Sequence, residues 1–441
     1  MLIAIGTALL MLPISTSEHA ITSGSGTVGD RTSFLDALFT ATSASCLTGL
    51  ITVDTGTHWS GFGEFVIIIL IQLGGLGFMT IASIFGLMVA GRLGINRRAG
   101  ARVEGRGVDL GEVSWVVRAT IIFTAVVELF LAVFLSFRFY FAYDYPLPRA
   151  IWEGIFHAIS AFNNAGFALY TDNVIGFNTD ALVILPLAFG LLVGGIGFPV
   201  LLETFRRFRR TAQGQPAHRW SLTARFTWIG TAMLVLAGFV LVAAAEWNGA
   251  LKGLSGPAKV LNAFFAGVSP RTAGFNALDY LDFHPSTLLG TDILMFIGGG
   301  SGGTAGGVKI TTVAVIVAAV LAEIRGEKTV SIQQRQISPR IVRQSLAVFA
   351  FGGVLSIGSL VAIMFMAPQF TTDQIAFDVV SAFATVGLST GITPMLPAGA
   401  QGVLIMLMFA GRVGPIVLAT ALAARTKNRL YEFPEERPFI G

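Results

Sequence analysis

The sequence predicts an all-α integral membrane protein built from four tandem units. Three observations lead to this fold class: an apolar composition, a fourfold internal repeat, and repeat segments too short to cross a bilayer. Hydrophobic residues make up 54% of the 441 positions and charged residues 12%, whereas soluble domains carry about 25% charge. Apolar runs of about 20 residues, the length of a spanning helix, lie near 63–90, 114–142, 180–204, 224–246, 287–322, 344–367 and 400–424.

Eight spans are expected, because a further apolar stretch opens the chain. This stretch, MLIAIGTALLMLPIS, is too short to span, and it lacks the basic residues that begin a signal peptide. We interpret it as the outer half of a first helix whose beginning is missing or lies upstream of Met1.

Basic residues predict the orientation of the chain in the membrane. The segments 91–118, 205–225, 323–343 and 425–437 hold 21 of the 29 lysines and arginines. Six lie on the opposite side: Arg31, Arg138, Arg149, Lys252, Lys259 and Arg271. By the positive-inside rule the rich side is cytoplasmic, and both termini lie there. Basic runs such as RRFRR at 206–210 are therefore interpreted as topology determinants, in preference to nucleic-acid or lipid-binding patches.

An internal repeat is anchored on four glycines: Gly49, Gly166, Gly274 and Gly387. Counting back ten residues from each glycine reaches Phe39, Phe156, Phe264 and Phe377, and counting back six reaches Ser43, Ser160, Val268 and Ser381. A second glycine cluster follows each anchor and begins at Gly74, Gly194, Gly298 and Gly411. The period of roughly 110 residues indicates a large helical module.

Each repeat predicts one unit in which two long helices flank a short helix and an extended glycine segment (M1-P-M2). The units are 1–90, 112–205, 222–323 and 343–425, followed by a cytosolic tail at 426–441. The short helices are expected near 34–42 and from about 151, 259 and 373. Non-helical backbone at membrane depth is tolerated only where protein buries it or where it lines a water-filled cavity. The four segments should therefore converge on one pseudo-four-fold pore axis.

The extended segments CLTGL, NNAGF, RTAGFN and TVGLS predict a selectivity filter. Brought together around one axis, they offer rings of backbone carbonyls that can replace the hydration shell of a cation, and glycine permits the backbone angles that such a ladder needs. The expected filter residues are Thr48, Gly49, Asn164, Ala165, Gly166, Thr272, Ala273, Gly274, Thr385, Val386 and Gly387. The competing interpretation is close helix packing at small residues. It is less favoured for these glycines, but it stays open for Gly74–Gly77 and Gly194–Gly197.

The third unit contains a predicted gate in the middle of its last apolar run. Seven of the ten residues 298–307 are glycine, and each costs a helix about 1 kcal/mol relative to alanine. A flexible loop under the carbonyl ladder is expected, made of Gly298, Gly299, Gly300, Ser301, Gly302, Gly303, Thr304, Ala305, Gly306, Gly307 and Lys309. A buried cation in a span indicates function. Arg412 is therefore expected either to contact the loop backbone or to repel cations.

For several polar residues two interpretations of their role are weighed. Asp54, Asp172 and Asp279 follow three of the anchors and either concentrate cations at an outer mouth or cap turns. Glu128 lies inside an apolar run, where an ion-path role and a helix-packing or subunit-interface role are equally open. His157 is interpreted as a packed residue of the second short helix and not as a proton relay.

The four glycine motifs and GGSGGTAGGVKITT resemble the Trk/Ktr/HKT superfamily of potassium transporters over nearly the whole chain, and the eight spans make the chain most similar to the KtrB-type members. The resemblance implies K+ uptake across the bacterial plasma membrane, with K+ bound at Gly49, Gly166, Gly274 and Gly387. Glycine at the first of these positions favours K+, since relatives with serine there tend toward Na+. The resemblance also implies the loop gate at 298–309 with Arg412, and a homodimer docked on a cytosolic ring of nucleotide-binding KtrA-type subunits.

Two other classes of protein were considered. A cation-coupled secondary transporter with broken-helix sites is the alternative, although such carriers usually show two discontinuous helices and not four. An enzyme is not expected, because no polar catalytic constellation lies within the spans. The lone Cys46 and five scattered histidines offer no cysteine or zinc site. No organic cofactor and no nucleic-acid partner are expected, and Na+ as an activator is left open.

Overall fold

The computed structural model describes residues 1–17, 32–95, 110–215, 219–332 and 335–424. The predicted tail at 426–441 lies outside these residues, as does Arg31. The described part is almost entirely helical, and its short β-hairpin pairs Ser331–Ile332 with Arg335–Gln336. The helices are α1 (Leu2–Leu10), α2 (Phe34–Cys46), α3 (Thr55–His58), α4 (Gly61–Ile95), α5 (Leu110–Ala142), α6 (Leu147–Phe162), α7 (Ala181–Ile196), α8 (Phe198–Ala212), α9 (Leu222–Ala245), α10 (Gly256–Val268), α11 (Pro285–Phe296), α12 (Ile310–Ile324), α13 (Pro339–Met366), α14 (Thr372–Ala384) and α15 (Ala398–Ala424).

Four helices in the described residues are long and apolar enough to cross a membrane: Gly61–Thr80, Val117–Ala142, Leu222–Ala245 and Pro339–Met366. A fifth span results if α7 and α8 are taken together, although they are bent by 98° at Gly197. The predicted run at 287–322 is divided, because α11 ends at Phe296 and α12 begins at Ile310. The total of eight spans stays a prediction.

Four short helices, α2, α6, α10 and α14, occupy the positions where the repeat predicts them. Their starts carry ordinary initiation signals. The side chain of Ser33 accepts from the Asp36 N–H at 3.1 Å, α6 and α10 have proline in their first turn, and Thr371 forms a capping box with Gln374. Each helix is followed within a few residues by a left-handed residue, which ends the helical hydrogen bonding.

The short helices contribute much of the core, since more than half of the residues of each are buried. Phe39, Phe156 and Phe377, three of the four phenylalanines of the repeat, are fully buried. The third unit differs, because Phe265 is buried to 1% exposure whereas the predicted Phe264 is only partly buried. The long helices surround this core and present exposed apolar side chains on their outer faces, among them Leu129, Phe130, Phe137 and Phe141 of α5. Such a surface suits a hydrocarbon environment.

Candidate functional site

An identical backbone pattern follows each short helix. A left-handed residue comes first, then one ordinary residue, then the anchor glycine with positive φ. The left-handed residues are Leu47, Asn164, Thr272 and Thr385, with φ from 51° to 65°, and the glycines have φ of 93°, 71°, 72° and 94°. Alternating hands of this kind turn successive N–H groups toward one side and the carbonyls away from it.

The N–H groups of these segments point back to the short helices. In the first unit the N–H of Thr48 donates to the Ser43 carbonyl at 2.8 Å and the N–H of Gly49 to Ser43 Oγ at 3.0 Å. The fourth unit repeats both bonds, from Val386 and Gly387 to Ser381, at the same distances. In the first and fourth units the serine thus accepts from both N–H groups of the segment, whereas in the second unit the N–H of Ala165 donates to the Ser160 carbonyl at 2.9 Å.

The third unit corrects the register read from the sequence. Counting back from Gly274 predicts Val268 at the serine position, but the N–H of Ala273 donates to the Ser269 carbonyl at 2.9 Å. The Ser269 hydroxyl donates to the Phe275 carbonyl, as Ser160 does to Phe167 at 2.8 Å. The third unit is therefore one residue shorter between helix and glycine. This deletion explains why Phe265 replaces Phe264 in the core.

The four glycine segments are neighbours in a closed ring. A Cβ added to Gly49 would lie 2.5 Å from the Ala165 oxygen of the second unit, and one added to Gly166 would lie 2.6 Å from the Gly274 Cα of the third. A Cβ added to Gly274 would lie 2.6 Å from the Val386 oxygen of the fourth unit, and one added to Gly387 would lie 2.0 Å from the Thr48 oxygen of the first. Side chains are excluded from this ring, and each glycine approaches a carbonyl of the next unit.

All eleven predicted filter residues lie in this ring or beside it. Those that have side chains are completely buried: Thr48, Asn164, Ala165, Thr272, Ala273, Thr385 and Val386. The hydroxyls of Thr48 and Thr385 find no hydrogen-bond partner among the described residues. Asn164 is engaged, since its side-chain oxygen accepts from the Thr304 hydroxyl at 2.9 Å.

The glycine-rich loop between α11 and α12 lies directly under this ring. A Cβ on Gly306 would sit 1.9 Å from Thr385 Oγ1, so only glycine allows the approach. The sequence predicts a flexible loop, but its backbone is fixed to the second unit. The N–H of Gly300 donates to the Gly195 carbonyl at 2.9 Å, and that of Thr304 donates to the Gly194 carbonyl at 3.2 Å.

Arg412 contacts the loop backbone, which is the first of its two predicted interactions. Its Nη1 donates to the Thr304 carbonyl, and its guanidinium lies 4.1 Å from the centre of the Phe78 ring. The Lys309 amino group lies 5.2 Å from the same ring and donates to the Ala305 carbonyl. The buried Arg412 therefore holds the loop from α15, whereas the half-buried Lys309 bonds within the loop.

The second glycine clusters serve close packing, one of the two interpretations left open. A Cβ on Gly74 would lie 2.3 Å from the Ser45 carbonyl oxygen, and one on Gly194 would lie 1.9 Å from that of Phe162. A Cβ on Gly411 would lie 1.7 Å from the Phe383 carbonyl oxygen. All three carbonyls precede their anchor glycine by four residues, so the long helices touch the last turn of the short helices at equivalent points.

For several polar residues the structure distinguishes between the two interpretations. Asp54 and Asp279 cap turns, since they accept from the Thr57 N–H at 2.8 Å and the Leu281 N–H at 2.9 Å. His157 is buried and packed, with its ring stacked on Tyr170 at 4.9 Å. Asp172 has no such capping bond to its own turn among the contacts found in the described residues.

Glu128 belongs to a buried polar cluster behind the second glycine segment. Its two carboxyl oxygens accept from Gln72 Nε2 at 3.0 Å and Asn163 Nδ2 at 2.9 Å. Asn163 immediately precedes the left-handed Asn164. The cluster therefore ties α4 and α5 to the end of α6, which corresponds to the helix-packing interpretation within one chain.

Sequence reasoning missed the role of Arg271. This residue directly precedes the left-handed Thr272, and its side chain is buried. Its Nη2 donates to the carbonyls of Leu294 and Ile297, at the end of α11. A cation suits the carbonyl end of a helix. The only signal in the sequence was a lone arginine within an otherwise apolar glycine segment.

Known proteins place these features in a family. The family described as TrkH, cation transport protein, matches residues 9–429. The Ktr system potassium uptake protein B of Bacillus subtilis is 37% identical over 443 residues, covering 100% of this chain and 94% of that protein. The potassium/sodium uptake protein NtpJ of Enterococcus hirae is 35% identical over 453 residues, covering 100% and 95% respectively.

A solved structure shares the fold. The crystal structure of the potassium transporter TrkH from Vibrio parahaemolyticus matches with a TM-score of 0.68 and 18% identity, covering 89% of this chain and 79% of that chain. Predominantly apolar helices in this arrangement describe a multi-pass membrane protein. The chain therefore belongs to the TrkH family of cation transport proteins.

Proposed function

We propose that the protein takes up K+ across the plasma membrane through the ring of four glycine segments, which acts as its selectivity filter. The observation that carries this proposal is the closed ring itself, in which each anchor glycine lies against a backbone carbonyl of the next unit. Carbonyl oxygens arranged in this way can replace water around a monovalent cation. The relatives named as potassium uptake proteins support the choice of ion.

The chemistry of the ring suits conduction of ions. Its ligands are neutral carbonyls and the hydroxyls of Thr48 and Thr385, which have no hydrogen-bond partner among the described residues. Neutral ligands bind an ion strongly enough to dehydrate it and weakly enough to release it. K+ is held at the level of Gly49, Gly166, Gly274 and Gly387, and the membrane potential supplies about 2.3 kcal/mol per charge per 100 mV for uptake.

The loop at 298–309 acts as the gate below the filter. It crosses under the ring at Gly306, and Arg412 holds it through the Thr304 carbonyl. Release of this contact would let the loop withdraw toward α12 and open the path. The bonds from Gly300 and Thr304 to the second unit make the closed position a defined one.

The gate is regulated by a second protein on the cytoplasmic side. We infer a homodimer that docks on a ring of nucleotide-binding subunits, with both termini of this chain on that side. The four basic segments favour this orientation by the positive-inside rule, and the name of the Bacillus subtilis relative describes it as one part of a system.

A cation-coupled secondary transporter is the second candidate, and one observation favours it. Two helices are broken inside the bundle, α7 from α8 at Gly197 and α11 from α12 at 298–309. The two breaks contact each other, as half-helices do around the substrate sites of carriers. The name of the Enterococcus hirae relative mentions both potassium and sodium.

Ion flux into proteoliposomes separates these candidates. The purified chain is reconstituted, and uptake of Rb+ is measured as a tracer for K+, with excess K+, Na+ or Li+ as competitors. A filter predicts competition by K+ and Rb+ but not by Na+ or Li+, and uptake driven by voltage alone. Uptake that requires a Na+ or H+ gradient would favour the carrier, and flux without discrimination would refute the filter.

A further inference from the structure

Helix α8 leaves the bundle at a sharp angle next to the gate. It is bent by 98° from α7 at Gly197, whose φ is +95°. Since α7 is apolar and runs through the bundle, a helix at right angles to it lies parallel to the membrane plane. Positive-inside orientation places this helix at the cytoplasmic surface.

The side chains of α8 are arranged as in a membrane-surface helix. Phe198, Leu201, Leu202, Phe205 and Phe208 recur at helical spacing and form one apolar stripe. The stripe begins in the bundle, where Phe198 is buried, and continues outward to Phe205 and Phe208, which are 64% and 69% exposed. Two exposed phenylalanines on one stripe indicate an apolar medium beside them.

Basic residues lie beside this stripe and at its outer end, where Arg209 follows Leu202 and Phe205 at helical spacing. Arg206, Arg209 and Arg210 are exposed, and the Arg206 guanidinium lies 5.0 Å from the Trp115 ring. The acidic residue of the helix is already engaged, because both oxygens of Glu203 accept from Ser221 at 2.7 Å. The outer half of α8 therefore presents positive charge beside aromatic rings, which is the chemistry that recognises anionic lipid headgroups.

The inner end of α8 touches the gate loop. A Cβ on Gly197 would lie 2.7 Å from the Gly303 nitrogen, and one on Gly302 would lie 3.0 Å from the Pro199 ring. Just before the bend, Gly195 accepts the hydrogen bond from Gly300. With no free space at this contact, a tilt of α8 must displace the loop.

We propose that α8 is a lipid-sensing helix, so that its basic run at 206–210, interpreted from the sequence as a topology determinant, also binds lipid. Its arginines bind anionic phospholipid headgroups of the cytoplasmic leaflet, Phe205 and Phe208 enter the acyl boundary, and the resulting position of α8 adjusts the gate loop through Gly197 and Pro199. The regulatory consequence rests on the proposed function, whereas the lipid site itself does not. A docking surface for the regulatory ring is the competing occupant.

Two measurements on the full-length chain test this proposal. Retention of phosphatidylglycerol is titrated by native mass spectrometry, and Rb+ uptake is compared between vesicles of phosphatidylcholine alone and vesicles containing phosphatidylglycerol. The test variant carries Arg209→Gln and Arg210→Gln. The control carries Arg325→Gln and Lys328→Gln, which remove equal charge from an exposed segment after α12.

We expect the test variant to lose about 30-fold in phosphatidylglycerol affinity, because each basic residue near an anionic surface contributes about fivefold. The control should bind as the unmodified chain does. Rb+ uptake of the unmodified chain should differ severalfold between the two vesicle types, and this difference should vanish in the test variant. A second variant, Phe205→Ser with Phe208→Ser, should weaken binding without changing charge.

Three outcomes overturn the inference. Equal phosphatidylglycerol retention by test and control variants would remove the lipid site. The test variant could bind lipid normally and lose Rb+ uptake only when the regulatory ring is added. That result would assign α8 to the ring. Lipid binding without any lipid effect on a measurable flux would remove the link to the gate. Absence of flux in every vesicle, with lipid binding intact, would instead refute the proposed transport function.

Discussion

A pair of glycine substitutions tests whether the ring of carbonyls selects the ion. Gly387 and Gly391 have similar left-handed backbones, with φ of 94° and 84°. Alanine at either position therefore adds a comparable strain of about 1–2 kcal/mol. The two sites differ in space, since a Cβ on Gly387 would lie 2.0 Å from the Thr48 oxygen and one on Gly391 meets nothing within 4 Å.

The structure gives the size of the expected effect. To reach even a tight contact of 3.0 Å, the Thr48 oxygen in the Gly387→Ala variant must move by about 1 Å. That displacement removes one ion–carbonyl contact, which resembles a hydrogen bond to a charged group and contributes about 1.5–3 kcal/mol. We expect discrimination between K+ and Na+ to fall by about 10- to 100-fold, since 1.4 kcal/mol is a factor of ten.

The assay is Rb+ uptake into proteoliposomes with increasing external Na+. Gly391→Ala should lower the melting temperature and keep the discrimination of the unmodified protein. Gly387→Ala should lower both. If Gly387→Ala is folded and still rejects Na+, the ring does not select the ion. If both variants lose discrimination equally, backbone strain and not the carbonyl ring explains the effect.

Substitutions at three other residues test the surroundings of the ring. Arg271→Gln should destabilise the protein by about 3 kcal/mol in thermal unfolding, because it removes charged donors from the end of α11. Arg271→Lys should recover part of this stability. Equal stability of the unmodified protein and both variants would contradict a role of Arg271 in holding the end of α11. Arg412→Gln should raise Rb+ uptake without changing ion discrimination, because it frees the Thr304 carbonyl; lower uptake by folded protein would argue against a gate. Glu128→Ala should lower stability by about 2 kcal/mol in thermal unfolding, because the Gln72 amide loses its acceptor and the Asn163 amide loses one of three. Glu128→Gln keeps one acceptor oxygen and should be destabilised less, and equal losses in the two variants would contradict this account.

Much of the ring could be predicted from spacing alone. The four anchor glycines repeat at similar intervals, and the structure gives each of them a positive φ and a carbonyl neighbour. The register of the third unit could not be predicted, since Phe264 and Phe265 are both apolar and Val268 stands beside Ser269. A one-residue deletion between adjacent candidates leaves no trace in composition, and only the hydrogen bond to the Ser269 carbonyl reveals it.

Contacts between units were also beyond sequence reasoning. Glycine content predicted that the third span breaks at 298–309, but it suggested a flexible loop. The bonds from Gly300 and Thr304 to Gly195 and Gly194 join segments more than 100 positions apart. Nothing local in either sequence identifies the other as a partner. The same holds for Arg271, whose acceptors become neighbours only when α11 packs beside the third short helix.

One hydrogen bond, from the Thr304 hydroxyl to Asn164, couples the glycine-rich loop to the ring of glycine segments. Thr304, whose carbonyl accepts from Arg412, is also held by the side-chain oxygen of Asn164, the left-handed residue of the second glycine segment. Under the proposed function, an ion bound in the ring that tightens this segment would change the free energy of loop withdrawal, and loop withdrawal would change ion affinity by the same amount, because such coupling is reciprocal. K+ would then regulate its own transport. External K+ would alter the fraction of time the path is open as well as the flux through it.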